Sequence, residues 1–160
     1  MYAALVTLEG VVKNERDAPI AEGRLLVEAL RLAGVRVTLI TSSSDAQVTH
    51  WMKVNQVTVD AVIDSSVVLD PDEPLWRRQV AVARSQGQVN LVFDADPENV
   101  AWALSEGLTA VLVAHPRHML PKARPQGVRR PWGSITAELD RQVKTAPVFK
   151  DEIHRWEGDA

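Results

Sequence analysis

Short apolar segments alternate with helical patterns through the first 114 residues. The apolar segments lie at residues 2–8, 35–40, 59–64, 89–93 and 109–114. The first of them is almost continuously apolar, which is typical of a central parallel strand covered on both faces. The pattern therefore predicts five strands, with the first one deep in the molecule.

Between these strands, apolar residues and capping residues are placed as they are in α-helices. The first predicted helix has Pro19 in its first turn and Gly34 just past its end. Its apolar residues recur at the spacing of one helix face: Leu25, Leu26, Ala29, Leu30 and Leu32. Hydroxyl residues at 41–44 supply an N-cap for a helix that begins at Asp45, and Asp96 followed by Pro97 predicts another helix start.

Strands that alternate with helices predict a parallel sheet, because parallel neighbours need crossover connections. The expected fold is a three-layer α/β/α sandwich around a Rossmann-like, mostly parallel five-stranded sheet. Ligands of such sheets bind outside the carboxyl ends of the strands. That rule directs attention to Thr7 and Glu9 at the end of the first strand, Thr41 and Ser42 after the second, and Asp94 after the fourth.

The last quarter of the chain has a different composition. Residues 115–131 contain four prolines, two histidines and no acid, together with five basic residues: Arg117, Lys122, Arg124, Arg129 and Arg130. Residues 132–143 predict a short helix, and a polar tail follows. The expected organisation is an α/β core over 1–114, a basic proline-rich loop over 115–131, and a C-terminal helix and tail over 132–160 that packs on or extends from the same domain.

The amino-acid composition excludes some kinds of functional site and gives no support to others. A chain of 160 residues favours one domain, and the absence of cysteine excludes disulfides, thiolate nucleophiles and cysteine-ligated metals. The net charge of −3 gives no global reason to expect nucleic acid or an anionic membrane. The amino terminus lacks the basic region of a signal peptide, and no apolar run approaches the roughly 20 residues that span a bilayer, so a cytoplasmic protein is expected.

The order of polar strand ends resembles the haloacid dehalogenase-like superfamily of phosphatases and phosphotransferases. That family ends its first strand in Asp-x-Asp-Gly, where this chain has Thr7, Leu8, Glu9 and Gly10. The resemblance implies that Thr7 stands at the position of the nucleophile and magnesium ligand, and Glu9 at that of the general acid and base. Both catalytic aspartates are thus replaced.

The later motifs of the family remain legible. Thr41, with Ser42 beside it, resembles the phosphate-binding hydroxyl that ends the second strand. Residues 92–100 resemble the acidic fourth motif, which implies Asp94 as a metal ligand with Asp96 beside it. The basic residue of the third motif would be Arg77 or Arg78, and a solvated helix face explains each of these arginines equally well.

The replacements change the expected chemistry. A threonine hydroxyl is a weak nucleophile without an adjacent base, and Asp94 and Asp96 alone would bind Mg²⁺ weakly. Anion binding could survive through Thr41, Ser42, backbone amides near Gly10 and a basic residue. The favoured hypothesis is a capless, catalytically impaired domain that binds a phosphorylated small molecule or a protein.

Two alternatives stay open. One is a divergent magnesium-dependent phosphatase or nucleotidase that uses Glu9 and Asp94. The other is a structural or assembly component that makes contacts through the basic loop and tail. Residues 130–132 and the cysteine-free, Arg- and Val-rich composition also loosely resemble small phage-encoded members of the superfamily. A phage protein would be found in the host cytoplasm or the virion.

The basic loop raises the question of partners. Its arginines and lysine could contact nucleic-acid phosphates, but no aromatic residues are interleaved with them, so a solvated loop or a contact with a neighbouring subunit of a homo-oligomer is favoured. His115 and His118 lack a third metal ligand. The five tryptophans are expected to pack in the core or at interfaces.

Overall fold

The structure is a computed structural model that describes residues 2–115 and 133–145. Strands and helices alternate in the described residues in the order β1 (Ala3–Thr7), α1 (Ala21–Leu32), β2 (Arg36–Ile40), α2 (Asp45–Asn55), β3 (Ala61–Ile63), α3 (Leu75–Gln86), β4 (Leu91–Asp94), α4 (Pro97–Ser105), β5 (Thr109–Leu112) and α5 (Gly133–Thr145). Each predicted strand is present. The helix expected at residues 132–143 is α5.

The sheet is parallel at every strand pair, in the order β3-β2-β1-β4-β5. The central strand β1 places Thr7 beside Ile40 of β2 and Val6 beside Phe93 of β4. Strand order changes direction on the two sides of β1, which makes the carboxyl end of β1 the switch point of the sheet. The three-layer, Rossmann-like fold predicted by the sequence is confirmed.

Two hydrophobic clusters cover the two faces of the sheet. Ala4 and Val6 belong to one cluster, which also takes Val27 of α1 and Val48 of α2. Leu5 faces the other cluster, which takes side chains of α3. Because successive strand residues point to opposite faces, a strand between two helix layers is buried on both faces, and all five residues of β1, including Thr7, are buried.

Helix α1 differs from the predicted one. It begins at Ala21, and Pro19 lies just before it in a bridge to Lys13, so the expectation of Pro19 in the first turn is wrong. The predicted apolar face is wrong in part, since Leu25 and Leu32 are 65% and 82% exposed. Gly23 and Val27 are buried instead. Position 23 has no room for a side chain, since a Cβ built on Gly23 would lie only 1.8 Å from the carbonyl oxygen of Val11.

The predicted helix boundaries at Gly34, Asp45 and Asp96 are confirmed. Gly34 follows α1 with φ of +78°, a conformation that glycine adopts without steric cost. Ser44 caps α2 through a reciprocal capping box with Gln47. The Asp96 carboxylate accepts from the Glu98 amide at the start of α4, with Pro97 in the first helical position.

Helix α5 lies against α4, and the Gln142 side chain donates to the carbonyl oxygen of Leu104. The basic loop from residue 116 onward, the tail after residue 145, and His118 lie outside the described residues. The nucleic-acid, oligomer and assembly roles that depend on these segments stay predictions. Within residues 2–115 and 133–145, no helix is both long and apolar enough to cross a membrane.

Candidate ligand-binding cleft

A cleft of about 380 Å³ opens at the carboxyl ends of β1, β2 and β4. Six residues singled out in the sequence line it: Thr7, Glu9, Thr41, Ser42, Asp94 and Asp96. The start of α3 adds Pro74, Leu75 and Trp76, which form an apolar side of the same cleft. Parallel strands bring these residues together although they are up to 89 positions apart in the chain.

Thr7 lies at the end of β1, and its hydroxyl both donates and accepts a hydrogen bond. Its Oγ1 donates to Oδ2 of Asp94 over 2.5 Å and accepts from the indole Nε1 of Trp76 over 3.0 Å. Trp76 is in turn held by an edge-to-face contact with Trp102, with 5.6 Å between ring centroids. The single proton of the Thr7 hydroxyl is therefore committed to Asp94.

The carboxylate of Asp94 is buried and accepts hydrogen bonds from several donors. Besides Thr7, the Asp96 amide donates to its Oδ1 over 2.6 Å, and the Asn99 side chain donates to its Oδ2 over 3.3 Å. Only 1% of its surface is exposed. Burial raises the pKa of Asp94 to about 6, and the nearby Asp96 charge acts in the same direction, while the hydrogen bonds oppose the rise.

Glu9 lies at the other side of the cleft, where several donors converge on its carboxylate. The Thr41 hydroxyl donates to Oε1 over 2.6 Å, and the Ser43 hydroxyl reaches the same oxygen at 3.4 Å. The Ser42 amide donates to Oε2 over 3.4 Å. This part of the cleft is a set of donors arranged around one anionic group.

Lys13 adds a positive charge to these donors and was not predicted from the sequence. Its Nζ lies 3.9 Å from Oε1 of Glu9, donates to Ser43 Oγ over 3.4 Å and pairs with Asp17 at 2.9 Å. The chain turns back at Gly10, whose amide donates to the Lys13 carbonyl over 2.8 Å, so that residues 9 and 13 lie side by side. The only signal in the sequence is the spacing of four residues between Glu9 and Lys13.

Gln79 of α3 lines the cleft and binds the strand ends beside it, a role that no local pattern in the sequence predicts. Its Nε2 donates to the carbonyl oxygens of Thr41, Ile63 and Asp64 at 2.7, 3.1 and 2.8 Å. These carbonyls lie at the carboxyl ends of β2 and β3, and Gln79 is only 2% exposed. Its amide therefore joins α3 to the two strand ends beside the cleft.

The two candidate arginines lie elsewhere. Arg77 pairs with Glu73 at 3.5 Å and stacks over the Trp102 ring, with its Cζ 5.3 Å from the centroid. Arg78 donates to the carbonyl oxygen of Val67 over 2.8 Å. The structure does not bring either guanidinium into the lining of the cleft.

The carboxylates do not form a metal site of ordinary composition. Among residues 2–115 and 133–145, no group of three or more His, Asp or Glu side chains could hold a metal ion. Both oxygens of Asp94 accept hydrogen bonds, and an Asp96 oxygen caps α4. Magnesium is usually bound through one or two carboxylates together with waters and substrate phosphate oxygens, so Asp94 and Asp96, whose oxygens already accept hydrogen bonds, would bind Mg²⁺ weakly.

Comparison with solved structures supports the fold. The D,D-heptose 1,7-bisphosphate phosphatase of B. bronchiseptica, solved with magnesium and phosphate, matches with a TM-score of 0.54 and 17% identity over 89% of this chain and 99% of that chain. The likeness to this phosphatase supports the Rossmann-like α/β fold of this chain. No protein-family model matches the sequence, and no curated protein is similar enough to count as a match.

Two structures of an RNA repair complex of Pnkp1, Rnl and Hen1 are also similar to this chain in fold. They match with TM-scores of 0.58 and 0.59 at 12% and 14% identity, over 70% of this chain. The matched regions cover 42% and 45% of those chains, so this chain corresponds to less than half of them. At these identities the likeness concerns the fold and not the activity.

Proposed function

We propose that this chain is a catalytically impaired haloacid dehalogenase-like domain that binds a phosphate-bearing small molecule without hydrolysing it efficiently. One observation carries the proposal. At the position of the family's nucleophile, Thr7 presents a hydroxyl whose proton is held by Asp94, whereas Thr41, Ser42, Ser43 and Lys13 still converge on an anionic group.

The catalytic part of the cleft argues against turnover. A carboxylate is ionised at neutral pH and attacks phosphorus directly, whereas a threonine hydroxyl must first lose its proton. The described carboxylates also lack the composition of a metal site that would neutralise the transferring phosphoryl group. Phosphoryl transfer depends on charge stabilisation, so we expect a loss of several orders of magnitude in rate.

The binding part of the cleft supports recognition of an oxyanion. Hydroxyl groups, a backbone amide and a lysine are the donors that commonly bind phosphate. Pro74, Leu75 and Trp76 offer an apolar side for the organic part of the ligand, and about 380 Å³ suits a small molecule. Between β1 and α1, and between β3 and α3, the described chain contains no further helix or strand, which supports the capless form.

Calorimetric titration with phosphomonoesters, alongside a magnesium-dependent hydrolysis assay, tests this function. We expect saturable binding with negligible turnover. Thr41→Val should weaken binding about tenfold, the value of one charge-assisted hydrogen bond. Thr58→Val, which alters an exposed threonine outside the cleft, is the matched control. Robust turnover that Asp94→Ala abolishes would contradict the proposal, and so would the absence of binding.

A divergent phosphatase or nucleotidase that uses Glu9 and Asp94 is the second candidate. The pKa of about 6 for Asp94 favours it, because a carboxyl group that titrates near neutrality can act as general acid or base. Glu9→Gln separates the candidates in the same hydrolysis assay. A large loss of measurable turnover would support catalysis through Glu9, and unchanged turnover would exclude it.

A protein ligand is the remaining alternative for a binding module. The segment between β3 and α3 exposes Val68 and Leu69, at 81% and 55% of their surfaces, and continues into the apolar side of the cleft at Pro74. If a protein binds there, Leu69→Ser should weaken that complex in a pull-down with the identified partner. The phosphate affinity measured by calorimetry should then stay unchanged.

A further inference from the structure

We propose that the carboxylate of Glu9 is an internal ligand of the anion-binding part of the cleft, so that an incoming phosphate group has to displace it. This inference rests on the proposed function, because it concerns the same donors. It adds that the resting chain holds its own anion there, and that Glu9 sets the affinity of the cleft for phosphate.

The hydrogen-bond geometry supports displacement rather than sharing. Thr41 has one hydroxyl proton, and it is donated to Glu9 Oε1 over 2.6 Å. A phosphate oxygen bound by the same hydroxyl would lie within about 4 Å of the carboxylate. Two like charges at that distance repel each other strongly, because the protein surface screens them less than bulk water does. A phosphate and the Glu9 carboxylate therefore cannot occupy these donors together.

Glu9 is placed so that it can move out. Its side chain is 25% exposed and lines the open cleft, whereas Asp94 is almost completely buried. Lys13 is held independently of Glu9, because its Nζ pairs with Asp17 at 2.9 Å and its side chain is only 10% exposed. Departure of Glu9 would thus leave a lysine and three donors in place around a vacated position.

The length of the Glu9 side chain allows its carboxylate to reach the Thr41 hydroxyl. Shortening glutamate to aspartate retracts the carboxylate by about 1.5 Å, the length of one carbon–carbon bond. That retraction would break the 2.6 Å contact with Thr41 while keeping the negative charge near the cleft. Glu9→Asp therefore separates the effect of occupying the donors from the effect of charge alone.

Calorimetric titration with inorganic phosphate at constant pH tests the proposal on the full chain. Glu9→Ala should bind phosphate at least tenfold more tightly than the unaltered chain. Glu9→Gln should fall between the two, because a neutral amide oxygen still accepts from Thr41. Glu22→Gln, an exposed glutamate in the first turn of α1, is the matched control and should leave the affinity unchanged. Adding Lys13→Met to Glu9→Ala should remove the gain.

The outcomes separate this proposal from the function on which it rests. Equal phosphate affinity in the unaltered chain and in folded Glu9→Ala would overturn the internal ligand and leave phosphate binding intact. Weaker binding by Glu9→Ala would also overturn it, since Glu9 would then assist the ligand. If no folded variant binds phosphate, both proposals fail. The amide resonance of Ser42 gives an independent measure, because phosphate should shift it more strongly in Glu9→Ala.

Discussion

The hydroxyl of Thr7 donates to the carboxylate of Asp94 over 2.5 Å, linking the ends of β1 and β4 across the switch point of the sheet. Where the resemblance implies two carboxylates that share a metal ion, this chain has a neutral donor bound to one carboxylate. The two side chains are hydrogen-bonded to each other without a cation between them, and the indole N–H of Trp76 donates a further hydrogen bond to the Thr7 hydroxyl. The Thr7–Asp94 pair is therefore distinct from the group of donors around Glu9, which includes the Thr41 hydroxyl.

Restoring an acid at residue 7 should create a need for a cation. Thr7→Asp places a second carboxylate against buried Asp94, which should destabilise the metal-free fold by on the order of 3 kcal/mol. MgCl₂ should raise the midpoint of thermal unfolding in Thr7→Asp and leave the unaltered chain unchanged. Thr7→Asn, similar in shape but uncharged, is the control.

The same variant tests whether the rest of the catalytic machinery persists. Thr7→Asp combined with Glu9→Asp should show magnesium-dependent hydrolysis of an aryl phosphate ester above the level of the unaltered chain. An equal response of all variants to MgCl₂ in the unfolding experiment would mean that the cation acts elsewhere. In that case Asp94 would have no latent role in metal binding.

The raised pKa of Asp94 should make stability depend on pH. The folded chain retains a proton on Asp94 up to about pH 6, whereas the unfolded chain loses it near its usual value of 3.8. The stabilising contribution of Asp94 to the free energy of unfolding is therefore fully present below about pH 4 and is lost as the pH rises through about 6. The free energy of unfolding changes by on the order of 3 kcal/mol across this range. Urea unfolding across this range should show that Asp94→Asn loses this downward slope.

Asp64 provides the opposite case as a control. Hydrogen bonds from the Ser66 hydroxyl and amide lower the pKa of Asp64, so its contribution is present at higher pH and is lost only as pH falls below about 4. Asp64→Asn should therefore leave the slope between about pH 4 and pH 6 unchanged. Parallel curves for Asp94→Asn and the unaltered chain would show that Asp94 titrates normally.

The Gln79 amide should be necessary for the strand ends at the cleft. Gln79→Leu keeps the approximate volume but leaves three carbonyl oxygens without their donor, which should cost about 1–3 kcal/mol in the free energy of unfolding. Gln86→Leu, on an exposed position of the same helix, should change it by less than about 0.5 kcal/mol. Equal effects of the two substitutions in urea unfolding would argue against a role for the Gln79 contacts.

The close approach of α1 to the turn after β1 should depend on Gly23. Gly23→Ala puts a Cβ at 1.8 Å from the Val11 carbonyl oxygen, so the backbone must shift, and we expect a loss of more than about 2 kcal/mol in urea unfolding. Gly133→Ala, where nothing lies within 4 Å of the added Cβ, should be neutral or stabilising by up to about 1 kcal/mol. A tolerated Gly23→Ala would mean that α1 can move away from the turn.

Local features of the sequence predicted much of the fold. The apolar run of β1 predicted a strand buried on both faces, and Gly34, Ser44 and Asp96 marked helix boundaries, because their conformations and caps depend on residues a few positions away. The alternation of strands and helices then predicted a parallel sheet. The rule that ligands bind at strand ends identified Thr7, Glu9, Thr41 and Asp94 as residues that line one cleft.

The tertiary structure alone decided which of these side chains touch. Strand order places β1 between β2 and β4, and that order has no local signal, so neither the pairing of Thr7 with Asp94 nor that of Glu9 with Thr41 could be predicted. Gln79 and Trp76 resemble ordinary helix residues until α3 is laid on the sheet. The sequence determined the elements because they form from near neighbours, whereas the cleft depends on contacts between residues 32 to 87 positions apart.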